Sequence, residues 1–338
     1  GVQTCALPIL IGESPYFLEV LEHVSRVAPL NRPVLVIGER GTGKELIAAR
    51  IHYLSGRWDY PFIKMNCAAL AESLLETELF GHEAGAFTGA AKRRLGRFEL
   101  ANDGSLFLDE LSSTSSGVQE KILRVIEYGE FERVGGQKTL RVDVRLVAAT
   151  NADLPALADA GLFRWDLLDR LSFDVVQLPP LRERDDDLYE LAQHFSVKMC
   201  QELGWPYFPG FSENALAQLG AHSWPGNIRE LKNAVERSLF RADDPEKPIE
   251  TIVIDPFSRA AAPAETAADP EPTARAELAS AQAAAWPISL KSLINAEERQ
   301  WVERALAETG QRQNEAATLL GVSYNQIRAL VKKHGLKP

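Results

Sequence analysis

Four apolar residues, Val34–Ile37, run directly into Gly38-Glu39-Arg40-Gly41-Thr42-Gly43-Lys44, and the stretch that follows, Glu45–Tyr53, has helical spacing. A strand, a glycine loop and a helix in that order confine the chain to few folds. The G-x-x-x-x-G-K pattern lets backbone N–H groups close around a β-phosphate, and the helix N-terminus adds favourable potential. Lys44 then supplies a point charge at the β/γ-phosphates. Nucleotide binding by Gly38 through Glu45 is the expected consequence. The Ser or Thr whose hydroxyl touches Mg²⁺ in the generic loop is Glu45 here, which leaves the inner coordination of the metal open.

The surrounding pattern agrees with an α/β fold. Further short apolar runs at Phe62–Met65, Leu106–Leu108, Leu146–Ala149 and Val175–Leu178 alternate with helical stretches such as Val118–Tyr128. Near-continuous apolar character suits parallel strands covered on both faces. After Leu178-Pro179-Pro180-Leu181 the strands stop, and Leu188–Leu203, Ser212–Leu219 and Asn227–Ala242 read as amphipathic helices, with Ser212 as an N-cap. From Ser258 the composition turns to Ala, Pro, Glu, Thr and Ser, with prolines at 263, 270, 272 and 287, and reads as a flexible tether. Residues 1–9 fit neither a signal peptide nor a helix and read as a start foreign to the fold. The expected organisation is a sheet domain over 10–180, a helical lid over 181–257, a tether over 258–288 and a small helical domain over 289–338. Three cysteines without metal-ligand spacing fit a reducing, cytoplasmic setting, and no apolar run is long enough to span a bilayer.

Two further motifs carry chemistry. Leu106-Phe107-Leu108-Asp109-Glu110 places two carboxylates at a strand end, where Asp109 would hold Mg²⁺ through water and Glu110 would polarise an attacking water. Alone, it is also an ordinary acidic turn after a buried strand. Gly85-Ala86-Phe87-Thr88-Gly89-Ala90 lies between the phosphate loop and this strand. Its two glycines free the backbone and leave Phe87 as the one large side chain. Read alone, the sextet is equally a tight turn with Phe87 in the core or a pliable tip that grips a partner.

Taken together, the loop, the acidic strand end and the sextet resemble the bacterial enhancer-binding proteins, the AAA+ ATPases that activate sigma-54 RNA polymerase. The resemblance spans essentially Leu10 to Leu336 apart from the tether, and members of this family share the Gly-Lys-Glu variant of the loop. It implies an AAA+ P-loop parallel sheet with a helical lid, plus a small all-α helix-turn-helix domain of the Fis type. It implies ATP and Mg²⁺ as cofactors, and an ATP-binding set extended by Ala101-Asn102-Asp103-Gly104-Ser105 with Leu106 to Glu110. Asn66 would hydrogen-bond the catalytic Glu110, Thr150 and Asn151 would form sensor I, and Arg229 in Trp224–Leu231 would reach the phosphates. Arg164 and Arg170 resemble arginine fingers reaching into a neighbour's site, so activity would need a homo-oligomer, a hexamer ring in this family. Gly85 to Ala90 would meet sigma-54, and Arg133–Lys138 resembles the family's second surface loop, although alone it is a plain hairpin turn. The competing readings are a DNA-bound repressor with a vestigial ATPase and an AAA+ protein remodeller.

The net charge of −10 is unevenly spread. From Leu290 onward eight Lys/Arg oppose five Asp/Glu, a net +3 that leaves the rest of the chain near −13. An acidic body with a basic tail points to DNA contact by the tail alone. Gln313–Lys332 has helix-turn-helix spacing, with Gly321 at the turn and Ser323 capping the second helix; a structural helical hairpin has the same pattern. Gln313, Asn314, Ser323, Tyr324, Asn325, Gln326 and Arg328 would face or open onto enhancer DNA, with Lys332 and Lys333 on phosphates. Trp301 and Ala305 lie on a face expected to build a dimer. No receiver or ligand-sensing domain is recognised before Leu10, so restraint is expected from a separate negative regulator, with Trp58 either docking it or capping a helix end.

Overall fold

The structure, a computed structural model, describes residues 9–184, 187–242, 244–257, 290–310 and 312–336. It divides into two units, one up to Arg259 and one from Ala260. The 258–288 tether lies outside the described residues.

All five expected strands form. They are β1 (Val34–Ile37), β2 (Phe62–Asn66), β5 (Ser105–Asp109), β8 (Arg145–Thr150) and β9 (Val175–Gln177), all parallel and ordered β2-β5-β8-β1-β9. Alternation along each strand feeds two cores, because successive side chains point to opposite faces. Val34, Val36, Phe107, Val147 and Ala149 pack with α1 (Pro15–Val27) and α2 (Lys44–Tyr53). Leu35, Leu106, Leu108, Leu146 and Ala148 pack on the other face with α3 (Glu72–Phe80), α4 (Arg97–Leu100), α5 (Ser116–Tyr128), α6 (Leu154–Asp159) and α7 (Trp165–Leu171). Two small hairpins leave this layer, β3 (Gly81–His82) with β4 (Arg94–Leu95) and β6 (Glu130–Glu132) with β7 (Thr139–Arg141).

The lid consists of α8 (Asp187–Leu203), α9 (Glu213–Ala221) and α10 (Asn227–Phe240) around Leu191, Ala192, Trp224, Leu231 and Val235. Ser212 caps α9 as expected, its hydroxyl accepting from Ala215 N–H at 3.2 Å. In the second unit, Leu290–Glu308, Gln313–Leu319 and Tyr324–Lys333 are helices around Val302, Ala305, Leu306, Ala316, Ala317, Ile327 and Val331. Ala305 therefore belongs to this internal core and not to a dimer face, whereas Trp301 is exposed. Among the described residues no helix is long and apolar enough to cross a membrane.

Candidate nucleotide site

The carboxyl ends of the parallel strands converge where the phosphate loop turns into α2. Gly41 and Gly43 take φ of +79° and +96°, a region that a β-carbon disfavours. At Gly41 space matters as much as dihedral, since a β-carbon there would stand 2.2 Å from the Gly226 carbonyl oxygen of the lid. Lys44 curls over its own loop, donating to the carbonyls of Gly38 (2.8 Å) and Glu39 (2.9 Å). Thr42 donates its hydroxyl to Glu39 O at 2.9 Å. Burial holds the Lys44 ammonium below the usual lysine range. The Asp109 and Glu110 carboxylates oppose that shift, while the positive charges of Arg229 and Arg40 add to it. Three cations (Lys44, Arg40 and Arg229) and two carboxylates thus lie near one another, a charge set suited to a polyphosphate and its counter-ion.

Asp109 ends β5 and its Oδ1 accepts from Glu110 N–H at 3.0 Å. Glu110 has φ +55°, uncommon for a residue with a side chain, which turns the chain sharply at the strand end. Asn66 pairs in register with Asp109 across β2 and β5, so it ends beside the two acids. Its carboxamide oxygen, however, accepts from Ala68 N–H at 2.9 Å and caps the turn Cys67–Ala69; among the described residues no hydrogen bond joins it to Glu110. Burial, aided by the Asp109 charge, pushes the adjacent Cys67 thiol up to about 12, so Cys67 is inert packing. Thr150 ends β8, bonds the Ser112 hydroxyl at 3.2 Å and accepts from Ala152 N–H at 3.0 Å; Asn151 next to it is exposed. Among the described residues no group of three or more metal-ligating side chains occurs. One or two carboxylates beside a polyphosphate site suit Mg²⁺, which keeps waters and takes phosphate oxygens as ligands, and Asp109 is the residue that could hold it.

Several expected contacts are corrected. Ala101, Asn102, Asp103, Gly104 and Ser105 lie at the amino end of β5, the opposite edge of the sheet from the loop. There Asp103 N–H bonds Asp143 O, Gly104 abuts Pro61, and the Ser105 hydroxyl bonds His52 Nδ1 at 2.9 Å. Leu106, Phe107 and Leu108 are at most 2% exposed and fill the cores. None of these eight residues can touch a bound nucleotide. Glu45 turns away from the loop to an ion pair with Lys64 at 2.9 Å. Arg164 and Arg170, expected to reach a neighbour's site and not their own, pair within the chain with Asp166 (2.7 Å) and Glu127 (2.8 Å).

Other parts of the site left no local signature in the sequence. A cavity of about 210 Å³ opens beside Thr42 and Gly43, walled by Ile9, Leu10, Ile11, Phe17, Leu46, Arg184, Leu191, His194, Phe195 and Ile228. Its apolar walls next to a phosphate loop suit a flat nucleobase. Ile9 belongs to the stretch read as foreign to the fold, yet it lines this cavity. Asn227, fully buried at φ +52°, accepts from Leu181 N–H at 2.7 Å and donates to Glu39 Oε2 and Arg40 O at 3.0 Å each. Arg182 adds a bidentate pair with Glu39 at 2.7 and 3.0 Å.

The sextet sits apart from the site. Gly85 (φ +82°) and Gly89 (φ +104°) bracket a turn closed by Gly85 N–H to Ala90 O at 2.8 Å. Phe87 is 45% exposed and meets His82 in a T-shaped pair with centroids 5.0 Å apart, Thr88 is exposed, and Ala86 lies so close to Gly135 that a β-carbon there would meet it at 2.6 Å. Phe87 is thus not a core residue. The second loop, the β6–β7 turn, is docked on the first. Arg133 donates to Glu83 Oε1 (2.6 Å) and grips Glu99. Trp58 is 52% exposed, on the turn between α2 and β2.

In the tail, Ser323 caps its helix through a reciprocal box with Gln326, whose side-chain oxygen accepts from Ser323 N–H at 2.9 Å. Gln326 is therefore turned back on the cap, and Lys333 is paired with Glu298; neither is free for DNA in this conformation. Gln313, Asn314 and Tyr324 share a concavity of about 390 Å³, and Asn325, Arg328 and Lys332 are exposed.

A family model described as the sigma-54 interaction domain matches residues 10–177, and one described as an AAA+ ATPase lid domain matches residues 182–270. The chain is 57% identical to the Psp operon transcriptional activator of Escherichia coli (strain K12), covering 96% of this chain and 97% of that protein. It is 45% identical to the Nif-specific regulatory protein of Azotobacter vinelandii, covering 94% of this chain but 57% of that protein. Among solved structures, NtrX from Brucella abortus in complex with ADP superposes with a TM-score of 0.69 at 32% identity, over 97% of this chain and 70% of that one. Its complex with ATP gives 0.67 over 97% and 69%.

Proposed function

Because the chain belongs to the family of sigma-54-dependent transcriptional activators, AAA+ ATPases that bind nucleotide, we propose that it couples ATP hydrolysis in a ring of like subunits to the opening of promoter complexes, with the psp operon as its target. The observation that carries this reading is the pairing of a complete phosphate site with a separate, exposed Phe87-Thr88 tip. A phosphate site alone would serve any ATPase. A half-exposed aromatic on a glycine-bracketed turn gives the work an address.

In this mechanism the loop amides and Lys44 hold the β/γ-phosphates, and Glu110 orients the attacking water at the strand end. Mg²⁺, once bound, neutralises charge on the phosphate oxygens. Arg229 stands at the loop from the lid side, and Arg164 and Arg170, remote from their own loop, serve a neighbouring subunit. The planar guanidinium fork suits charge spread over equatorial oxygens. Asn66 would leave Ala68 and engage Glu110 when γ-phosphate is present. Phe87 and Thr88 meet sigma-54 polymerase, and the salt bridges from Arg133 to Glu83 and Glu99 make both loops move as one body. The tail binds enhancer DNA. Trp58 is proposed to dock the negative regulator, phage shock protein A; an exposed Trp is a common interface anchor.

Phe87→Ala leaves the phosphate site untouched, so ATPase should persist while sigma-54-dependent promoter opening is lost. Normal opening by this variant would overturn the gripping role. Addition of phage shock protein A should slow ATPase in the wild type and not in Trp58→Ala; equal inhibition of both would remove Trp58 from that interface.

A further inference from the structure

Residues Leu10–Ser14 reach the base cavity as an extended segment with no strand or helix to hold them. What holds them is a buried ion pair at the root of the lid. Arg184 and Asp187, each with a side chain 2% exposed, pair at 2.9 Å. Asp187 Oδ1 accepts from the N–H groups of Glu13 (2.7 Å) and Ser14 (2.9 Å), and its Oδ2 from the Ser14 hydroxyl (2.7 Å). Arg184 donates to the Ile11 carbonyl at 2.7 Å and lies 3.7 Å from the Phe17 ring centroid. Gly12 passes between them at φ +137°, where a β-carbon would come within 2.4 Å of both Arg184 Nη2 and Asp187 Oδ2.

A buried ion pair is rarely a cheap source of stability, because desolvating two charges offsets most of their attraction. Here every partner of the pair is on the segment that walls the base cavity or on the helix behind it. We propose that Arg184 and Asp187 are positioning residues that latch Ile9–Ser14 to the lid, and so determine how tightly the nucleobase, as distinct from the phosphates, is held. The latch touches no phosphate-binding group. Lid and segment move together through it, so the base cavity closes only when the lid root is in place. The proposal rests on the reading of Gly38–Lys44 as a nucleotide loop.

The test separates base from phosphates. Full-length wild type, Ser14→Ala and Gly12→Ala are compared for affinity to MgATP and, by competition, to inorganic tripolyphosphate. Ser14→Ala removes one bond and keeps the ion pair, whereas Gly12→Ala wedges the segment outward. Arg184 and Asp187 are both retained, so neither variant deletes one partner of the buried pair. Both should bind ATP more weakly, Gly12→Ala by roughly tenfold, as unpaired buried hydrogen-bonding groups imply. Tripolyphosphate affinity and turnover at saturating ATP should stay within about twofold of the wild type, the split expected when only base binding is lost. Equal losses for both ligands, or unchanged ATP affinity in both variants, would overturn the latch. Failure of the wild type itself to bind either probe would overturn the phosphate-loop assignment and the latch with it.

Discussion

Asn227 offers a clean perturbation of the joint between phosphate loop and lid, because its side chain and its backbone can be tested separately. The carboxamide is fully buried and spends its oxygen on Leu181 N–H (2.7 Å) and its NH₂ on Glu39 and Arg40 (3.0 Å each). Asn227→Gly removes these bonds and strands a buried donor on Leu181, at a cost of about 2 kcal/mol. Glycine has no difficulty with φ +52°, so nothing is added from the backbone. Asn227→Ala removes the same bonds and keeps a β-carbon in the left-handed region without the short polar side chain that lets Asn tolerate it, adding about 1 kcal/mol. For a unit of this size each kcal/mol shifts the melting temperature by roughly 2–4 °C, so Gly should lower it by about 5 °C and Ala by about 8 °C. Thermal unfolding of the two variants beside the wild type, with KM for ATP measured in parallel, checks this. The order is the decisive result. Gly at least as damaging as Ala would refute the strained-backbone argument, and a Gly variant melting with the wild type would refute the clasp.

Glu110→Gln keeps the shape of the strand end but removes the base, so nucleotide binding should survive while turnover falls by about 10²–10⁴-fold, checked by binding and steady-state assays on one preparation. Arg164→Ala should be as inactive alone, yet regain ATPase when mixed with Lys44→Ala subunits; activity in a strictly monomeric preparation would remove the trans role. Arg328→Ala should weaken specific operator binding by about 1–3 kcal/mol in a binding titration if the exposed guanidinium reads a base edge. His52 is buried against Phe62 and Ser105, and burial, with the nearby Arg145 charge, lowers its pKa from 6.5 to about 4. The folded state then binds fewer protons, so this contribution is fully present above pH 6.5 and is lost as pH falls toward 4, by up to about 3 kcal/mol. His52→Asn should show a flatter fall in melting temperature over that window.

The parts of the site that the sequence disclosed are those built from consecutive residues. Gly38–Lys44 announces itself because the loop, its strand and its helix adjoin in the chain, and Asp109-Glu110 because the strand before it is wholly apolar. Ala101–Leu108 differ from expectation for one reason: a recognisable motif is longer than its contact set. A parallel strand about 15 Å long carries its chemistry only at the carboxyl end, so the lead-in of a recognised motif is core. The base cavity, the Asn227 clasp and the Arg184–Asp187 pair were illegible for the opposite reason. Each joins segments far apart in the chain, Asp187 to Ser14 and Asn227 to Glu39, and no local periodicity encodes a partner at that distance. Gln326 failed differently, since an N3 Gln after a Ser cap is as much a capping-box signal as a DNA contact, and the local bond formed.

The short path between the phosphate site and Phe87 follows from the fold's connectivity. Asn66, in register with Asp109, caps the turn Cys67–Ala69, and α3 starts at Glu72. That helix is about 13 Å long and ends at Phe80, where β3 and then the Phe87 turn begin. Its far end is braced: Phe80 stacks on Phe98 at 5.4 Å, and Glu78 pairs with Arg94 and Arg97 at 2.7 and 2.9 Å. Arg133 then ties Glu83, just beyond β3, to Glu99 on α4, which follows the sextet. Burial raises the Glu99 carboxyl, but the Arg133 fork overcomes this and holds it below the usual range, so the tie stays ionised. The Gly85–Ala90 turn is therefore flanked on both sides by ion-paired residues, and the helix before it starts six residues after Asn66, beside Asp109 and Glu110. If Asn66 rearranges as proposed, this braced helix is the route by which the change would reach Phe87.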